Sequence, residues 1–311
     1  MVGGREAMAA PGNVLELYDD RPTDFEAWDL DPFHLETRTD CPGATHAAVA
    51  SAGALRAEIA FERPIGRASR MHQVVRLDAE SARLEFHCTV DWREERRALK
   101  VRFPAAVRAP RATYEMQFGV IERPTHHSTR RDLAQYEVPG HRFADLSEHG
   151  FGVALLSAAT YGWSVLGEAM RMTLLRSPRW PDPDADRGSH SLSFAIFPHA
   201  GGWQDADVTA EALRFNAPLL VGEGEAEPRS WFACDELMVD TVKPAEDGDG
   251  VIVRLYEPHG ARGSARLRVG VPFAEACCTN LLEDRLGNAE VEGDGVVLPF
   301  RPFEIVTVRL R

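Results

Sequence analysis

The stretch Leu84–Trp92, LEFHCTVDW, sets Leu84, Phe86, Cys88, Val90 and Trp92 at every second position and Glu85, His87, Thr89 and Asp91 between them. Side chains alternate across a strand with period two, so this spacing gives one apolar and one polar face to a half-buried antiparallel strand and none to a helix. After the charged link REERR, the run ALKVRFP repeats the device, with Leu99, Val101 and Phe103 facing in and Lys100 and Arg102 facing out. The two runs are expected to pair as a hairpin. YEMQFGVIE, SLSFAIFP, GVIVRLYE, ARLRVGV and FEIVTVRL read the same way, mostly separated by Gly, Pro or Asp, and the chain is predicted to be predominantly β.

A helix is expected at TAEALRFN, which follows Asp207 and carries good helix formers. In the alanine-rich ATHAAVASAGALRAEIAF, Gly53 interrupts a helical reading, so two strands joined at SAG are favoured. Composition shifts at PLLVGEGEAEPRS, which places a boundary between a domain at 1–218 and a smaller one at 219–311. Asp249-Gly250 and Asp294-Gly295 read as two-residue hairpin turns, with too few oxygen ligands for calcium.

The 311 residues are 44% hydrophobic, enough for one large or two unequal domains, and the net charge of -13 argues against nucleic acid as a partner. No apolar run approaches a membrane span and MVGGREAMAA has no signal-peptide pattern, so no membrane association and a cytoplasmic location are expected. Cys41, Cys88, Cys234, Cys277 and Cys278 show no CxxC spacing and read as buried structural thiols. His126 and His127 point to opposite faces of an extended chain, and with His141 and His149 they form no zinc-ligand pattern.

EAWDLDPFHLETR supplies Trp28, Asp29, Asp31 and His34, an aromatic with polar neighbours that suits a carbohydrate site or a packed interface. HRFADLSEH crowds charged residues ahead of the apolar run FGVALL and is read as a loop, in which Asp145 and Ser147 cap a turn while Phe143 packs in the core.

DDRPTDFEAWDLDPFHLETR, TVDWREERRALKVRFP, FGVIERPTHHSTRRD, HRFADLSEHGFGVALL, LLRSPRWPDPDADRGSH, VKPAEDGDGVIVRLYE and PFEIVTVRL occur in one order. Together they resemble the C-terminal β-domains of family 38 glycoside hydrolases, the α-mannosidases of cytosolic type. The resemblance implies a large antiparallel β-sandwich followed by a small immunoglobulin-like one, and a parent enzyme that hydrolyses terminal α-mannosides. It also implies that the catalytic barrel, with its zinc or other divalent ion, nucleophile and acid/base carboxylate, lies outside this chain, which holds no catalytic residue and no cofactor of its own. Retaining hydrolysis needs carboxyl groups about 5–5.5 Å apart, and Asp145 and Glu148 are not assigned to those roles. By resemblance Phe143, Asp145 and Arg176 wall the sugar pocket, with Arg179 an alternative to Arg176, while Trp28, Asp29 and His34 face the barrel. The expected partners are that barrel and an α-mannoside or oligosaccharide. A self-sufficient carbohydrate- or protein-binding module is the competing expectation.

Overall fold

The computed structural model describes residues 3–217, 219–225 and 227–311. Pro218, where the first predicted domain ends, lies outside them. The chain divides into two compact units, Met1–Glu115 with Ile121–Pro218, and Met116–Val120 with Leu219–Arg311.

The first unit is a sandwich of antiparallel sheets. A six-stranded sheet runs in the order Val138–Pro139, Gly162–Leu166, Ala169–Arg176, Arg97–Pro104, Val14–Asp19, Thr39–Asp40. Against it packs a nine-stranded sheet that begins Thr45–Ala52, Arg56–Ile65, Ser69–Asp78, Leu84–Trp92, Gly188–Ala200, Phe151–Ser157. The alternation read from the sequence fills the space between them. Phe86 and Phe194 stack at 5.0 Å from the larger sheet, and Phe103 of the smaller one meets Phe86 at 5.4 Å. Burial of these large rings supplies much of the driving force for closure.

The expected hairpin between Leu84–Trp92 and Arg97–Pro104 does not form. The first strand pairs with Ser69–Asp78 and Gly188–Ala200, the second with Val14–Asp19 and Ala169–Arg176. REERR is therefore a crossing from one sheet to the other, and one-sided alternation fits a strand facing another across a sandwich as well as it fits a hairpin partner. Glu94 holds the crossing. Its Oε1 accepts from the backbone N–H of Arg67 at 3.0 Å, Ala68 at 3.0 Å and Ser69 at 3.2 Å, and from the Ser69 hydroxyl at 3.0 Å. Burial disfavours the Glu94 charge, but these donors outweigh it and hold the carboxyl below its ordinary range. Gly66 is required beside it: φ is +56°, and a Cβ there would lie 2.5 Å from the Glu94 carboxyl carbon. Glu94→Ala strands the buried N–H and hydroxyl of Ser69 and is expected to lower the unfolding free energy by about 1–3 kcal/mol, measurable by urea titration.

Two strands, Thr45–Ala52 and Arg56–Ile65, flank SAG as expected, and the helix Val208–Asn216 forms with Asp207 accepting from the Ala210 N–H at its start. HRFADLSEH is not a loop. Phe143–Glu148 is a strand paired with Phe151–Ser157 around His149-Gly150, where Gly150 takes φ +78°. Its charged letters masked an alternation in which Ala144 and Leu146 join the sandwich core and Phe143 and Asp145 take the opposite face.

The second unit has a five-stranded and a four-stranded sheet, with Val253, Leu255, Leu267, Val296, Leu298 and Val308 in its core. The hairpin between Met238–Pro244 and Val251–Tyr256 pairs Pro244 with Val251, so its loop spans residues 245–250 rather than two residues. In the hairpin of Glu290–Glu292 with Gly295–Phe300, Glu292 pairs with Gly295, and the turn is Gly293-Asp294. Gly293 takes the positive φ, +62°, so the turn sits one residue earlier than expected. No helix among the described residues is long and apolar enough to cross a membrane.

Candidate functional site

The outer face of the six-stranded sheet is built from charge. Glu16 and Tyr18 on Val14–Asp19, Lys100 and Arg102 on Arg97–Pro104, and Arg171 and Thr173 on Ala169–Arg176 alternate with the core residues of the same strands. Glu16 is fully buried and accepts from Arg102 Nε at 2.6 Å, Arg171 Nε at 2.8 Å and the Tyr18 hydroxyl at 2.6 Å. Burial opposes the Glu16 charge, but the hydrogen bonds from Arg171 and Tyr18 and the charges of Arg171 and Arg102 prevail and lower its pKa.

Lys100 points away from the sandwich core, as its place in the alternation requires, yet it is fully buried. Its Nζ donates to Glu137 at 2.5 Å and lies 3.0 Å from His34 Nε2 and 5.2 Å from the centre of the Tyr18 ring. His34 Nδ1 is 2.7 Å from the Asp31 carbonyl, which can only accept, so Nδ1 carries the proton and Nε2 accepts from Lys100. Burial, then the Lys100 charge, lowers the His34 pKa, in keeping with that neutral tautomer.

Glu137 also accepts from the Thr173 hydroxyl and forms part of the wall of a cleft of about 580 Å³ within the first unit. Trp28, Tyr136, Glu137, Tyr161 and Arg176 line it. Trp28 is 68% exposed and packs edge-on against Trp180 at 5.5 Å, and Tyr161 is 48% exposed. The loop that carries Trp28 is pinned by one guanidinium. Arg176 Nε and Nη2 grip the buried Asp20 carboxylate at 2.7 and 3.0 Å, and Nη2 reaches the carbonyls of Glu26 at 3.0 Å and Asp29 at 2.5 Å. Arg176 Nη1 keeps no partner among the described residues and is available to a ligand. Aromatic faces beside a guanidinium and a fixed carboxylate suit a polyhydroxylated ring, whose C–H face stacks and whose hydroxyls donate and accept.

Of the residues singled out in the sequence, Trp28, Asp29 and Arg176 line this one cleft, and His34 lies behind it, facing inward through Lys100. Phe143 and Asp145 do not line it. Phe143 is fully buried, with Trp203 at 6.4 Å, and Asp145 is buried against His199 Nε2 at 2.8 Å and the Ser147 hydroxyl at 2.5 Å. Arg179 donates its backbone N–H to Glu26 and is not in the cleft wall. Lys100, Glu137, Tyr161 and Trp180 were not anticipated as site residues. The signal for Lys100 was its position beside Glu16-bearing and Arg171-bearing strands, which only the pairing reveals.

No group of three or more His, Cys, Asp or Glu side chains is placed to hold a metal ion among the described residues. His126 bonds the Ser128 hydroxyl and His141 packs on Tyr161, so the histidines do not converge.

Residues 2–184 match the glycosyl hydrolases family 38 C-terminal domain, and residues 236–308 match the glycosyl hydrolases family 38 C-terminal beta sandwich domain. The sequence is 41% identical to Alpha-mannosidase 2C1 of Homo sapiens over 100% of this chain and 31% of that protein. It is 36% identical to Alpha-mannosidase G of Dictyostelium discoideum over 96% of this chain and 29% of that protein. The fold is shared with an alpha-mannosidase from Enterococcus faecalis V583, at a TM-score of 0.77 and 17% identity over 96% of this chain and 38% of that one. The chain therefore spans less than a third of the length of these two sequence relatives.

Proposed function

This chain belongs to the glycosyl hydrolase family 38 as part of its C-terminal region, and we propose that it serves an α-mannosidase by packing on the catalytic barrel and helping to wall the sugar pocket. The observation that carries this reading is the cleft in which exposed Trp28 and Tyr161 stand beside Arg176 and Glu137. In this reading Trp28 and Tyr161 offer stacking surface to a mannoside or to the barrel, Arg176 Nη1 donates to a hydroxyl, and Glu137, oriented by Lys100 and Thr173, accepts from one. The zinc and the reacting carboxylates are supplied by the barrel. The described residues of this chain form no ligand set for the ion, and no chemical step is assigned to them.

The test uses the enzyme with its barrel. Trp28→Ala removes an exposed ring without opening the core and is expected to lower kcat/KM for an aryl α-mannoside about 10- to 100-fold, with zinc content unchanged. Wild-type kinetics in that variant would remove Trp28 from the reading. The chain by itself is expected to give no turnover that survives removal of contaminating host mannosidase. A second reading, a carbohydrate-binding module, rests on the cleft being formed by one unit alone, and saturable mannotriose binding without turnover would favour it.

A further inference from the structure

The REERR crossing brings together more positive charge than a chain of net charge -13 would suggest. Arg21, Arg67, Arg93, Arg96, Arg97 and Arg179 line a second cleft in the first unit, of about 380 Å³, whose only carboxylates are Glu94 and Glu95. Glu94 turns its Oε1 to the backbone donors of residues 67–69. Glu95 is held loosely, 3.3 Å from Arg179 and 3.5 Å from Arg187, and its side chain is half exposed.

The arginines divide into two kinds. Arg93, Arg96 and Arg97 are each engaged by a carboxylate outside the cleft wall: Asp91 at 3.0 Å, Glu26 at 2.6 Å, and Asp19. These pairs fix the guanidiniums in place. Arg21 and Arg67 are exposed and make no ion pair among the described residues, so their forks have donors to spare. Four of the six guanidiniums already face a carboxylate, and the unpaired positive charge at the cleft is that of Arg21 and Arg67, which an entering anion would draw on. Guanidinium forks match the paired oxygens of a phosphate, and the sparse apolar lining gives an uncharged ligand little to hold.

We infer that this cleft binds a phosphate-type oxyanion, free or carried as an ester, through Arg21 and Arg67 with the paired arginines as a preorganised wall. The site is separate from the aromatic cleft and stands whether or not the chain serves a mannosidase.

Titration calorimetry with inorganic phosphate at constant ionic strength tests it on the whole chain. Saturable binding is expected, weakened at least about tenfold in R21A/R67A, since each lost charge-assisted hydrogen bond is worth roughly that factor. Neither residue has an acidic partner to orphan, and an unchanged melting temperature in the absence of ligand confirms that the double variant is folded. E95Q removes the competing carboxylate and is expected to tighten binding. Equal affinity in wild type and R21A/R67A, weaker binding in E95Q, or an equal response to chloride overturns the inference. A parallel titration with glucose 6-phosphate distinguishes the source: tighter binding than phosphate identifies an ester as the ligand, and equal binding identifies the free anion, both on the same arginines.

Discussion

Lys100→Met is expected to lower the unfolding free energy by about 3 kcal/mol, because it removes a fully buried cation and leaves Glu137, partly exposed on the cleft wall, without its charged partner. Glu137 keeps only the Thr173 hydroxyl from this network, and His34 Nε2 loses its donor. The methionine retains the length and apolar body of the stem, so the loss reports charge and hydrogen bonding rather than a cavity. Urea unfolding of Lys100→Met, Glu137→Gln and the double variant gives the coupling directly. The double variant should lose much less than the sum of the two single losses, since neither charge is then stranded. Additive losses would mean that the pair does not act as a unit.

Glu16→Gln should be of similar size near neutral pH, about 3–5 kcal/mol, because it leaves Arg102 and Arg171 facing a neutral amide in a buried layer. Its pH dependence supplies a second check. The folded pKa of Glu16 lies below its ordinary 4.5, so the unfolded chain takes up the proton first. The stability that Glu16 contributes is thus complete above the unfolded pKa and disappears as pH falls through the lower folded one. The difference between wild type and Glu16→Gln must therefore shrink on acidification below about pH 4.5. His34 acts in a separate window. Its folded pKa lies below 6.5, so its contribution is complete above that value and falls away beneath it, as the unfolded imidazole charges while the buried one resists. Stability measured from pH 8 to 4 should show the His34 phase first, and His34→Gln should remove that phase while leaving the Glu16 phase.

What could be read from the sequence followed what is local. Period-two alternation identified strands such as Leu84–Trp92, and Asp207 marked the start of the helix Val208–Asn216, because both signals lie within a few residues. Strand pairing is not local, and so alternation on both sides of Arg93–Arg97 reads as a hairpin where the chain crosses between sheets. The cleft residues Trp28, Asp29 and Arg176 stood out because an aromatic, an acid and an arginine sit in motifs shared with a family. Lys100 did not, since a lysine on the outer face of a strand ordinarily reaches water. Only the loop held by Arg176, the short 3-10 helix Pro32–Thr37 that carries His34 and the bend that carries Glu137 turn that outer face into an interior. The letters around Phe143 suit a core ring and a pocket wall equally, because the ring that packs on it, Trp203, is 60 positions away.

The charged layer of the six-stranded sheet also bears on which mistakes the chain can make while folding. A strand that slipped by a single residue against its neighbour would turn Glu16, Lys100, Arg102 or Arg171 into the space now filled by Leu15, Leu99, Val101 and Met172. No partner waits there for a bare carboxylate or ammonium, and the penalty for such a slip falls on every residue of the strand at once. Alternative registers that an all-apolar sheet would tolerate as near-equals are therefore forbidden here. The ions act less as glue for the finished sandwich than as an error check on its assembly, one that could be relaxed only by neutralising both strands of a pair together.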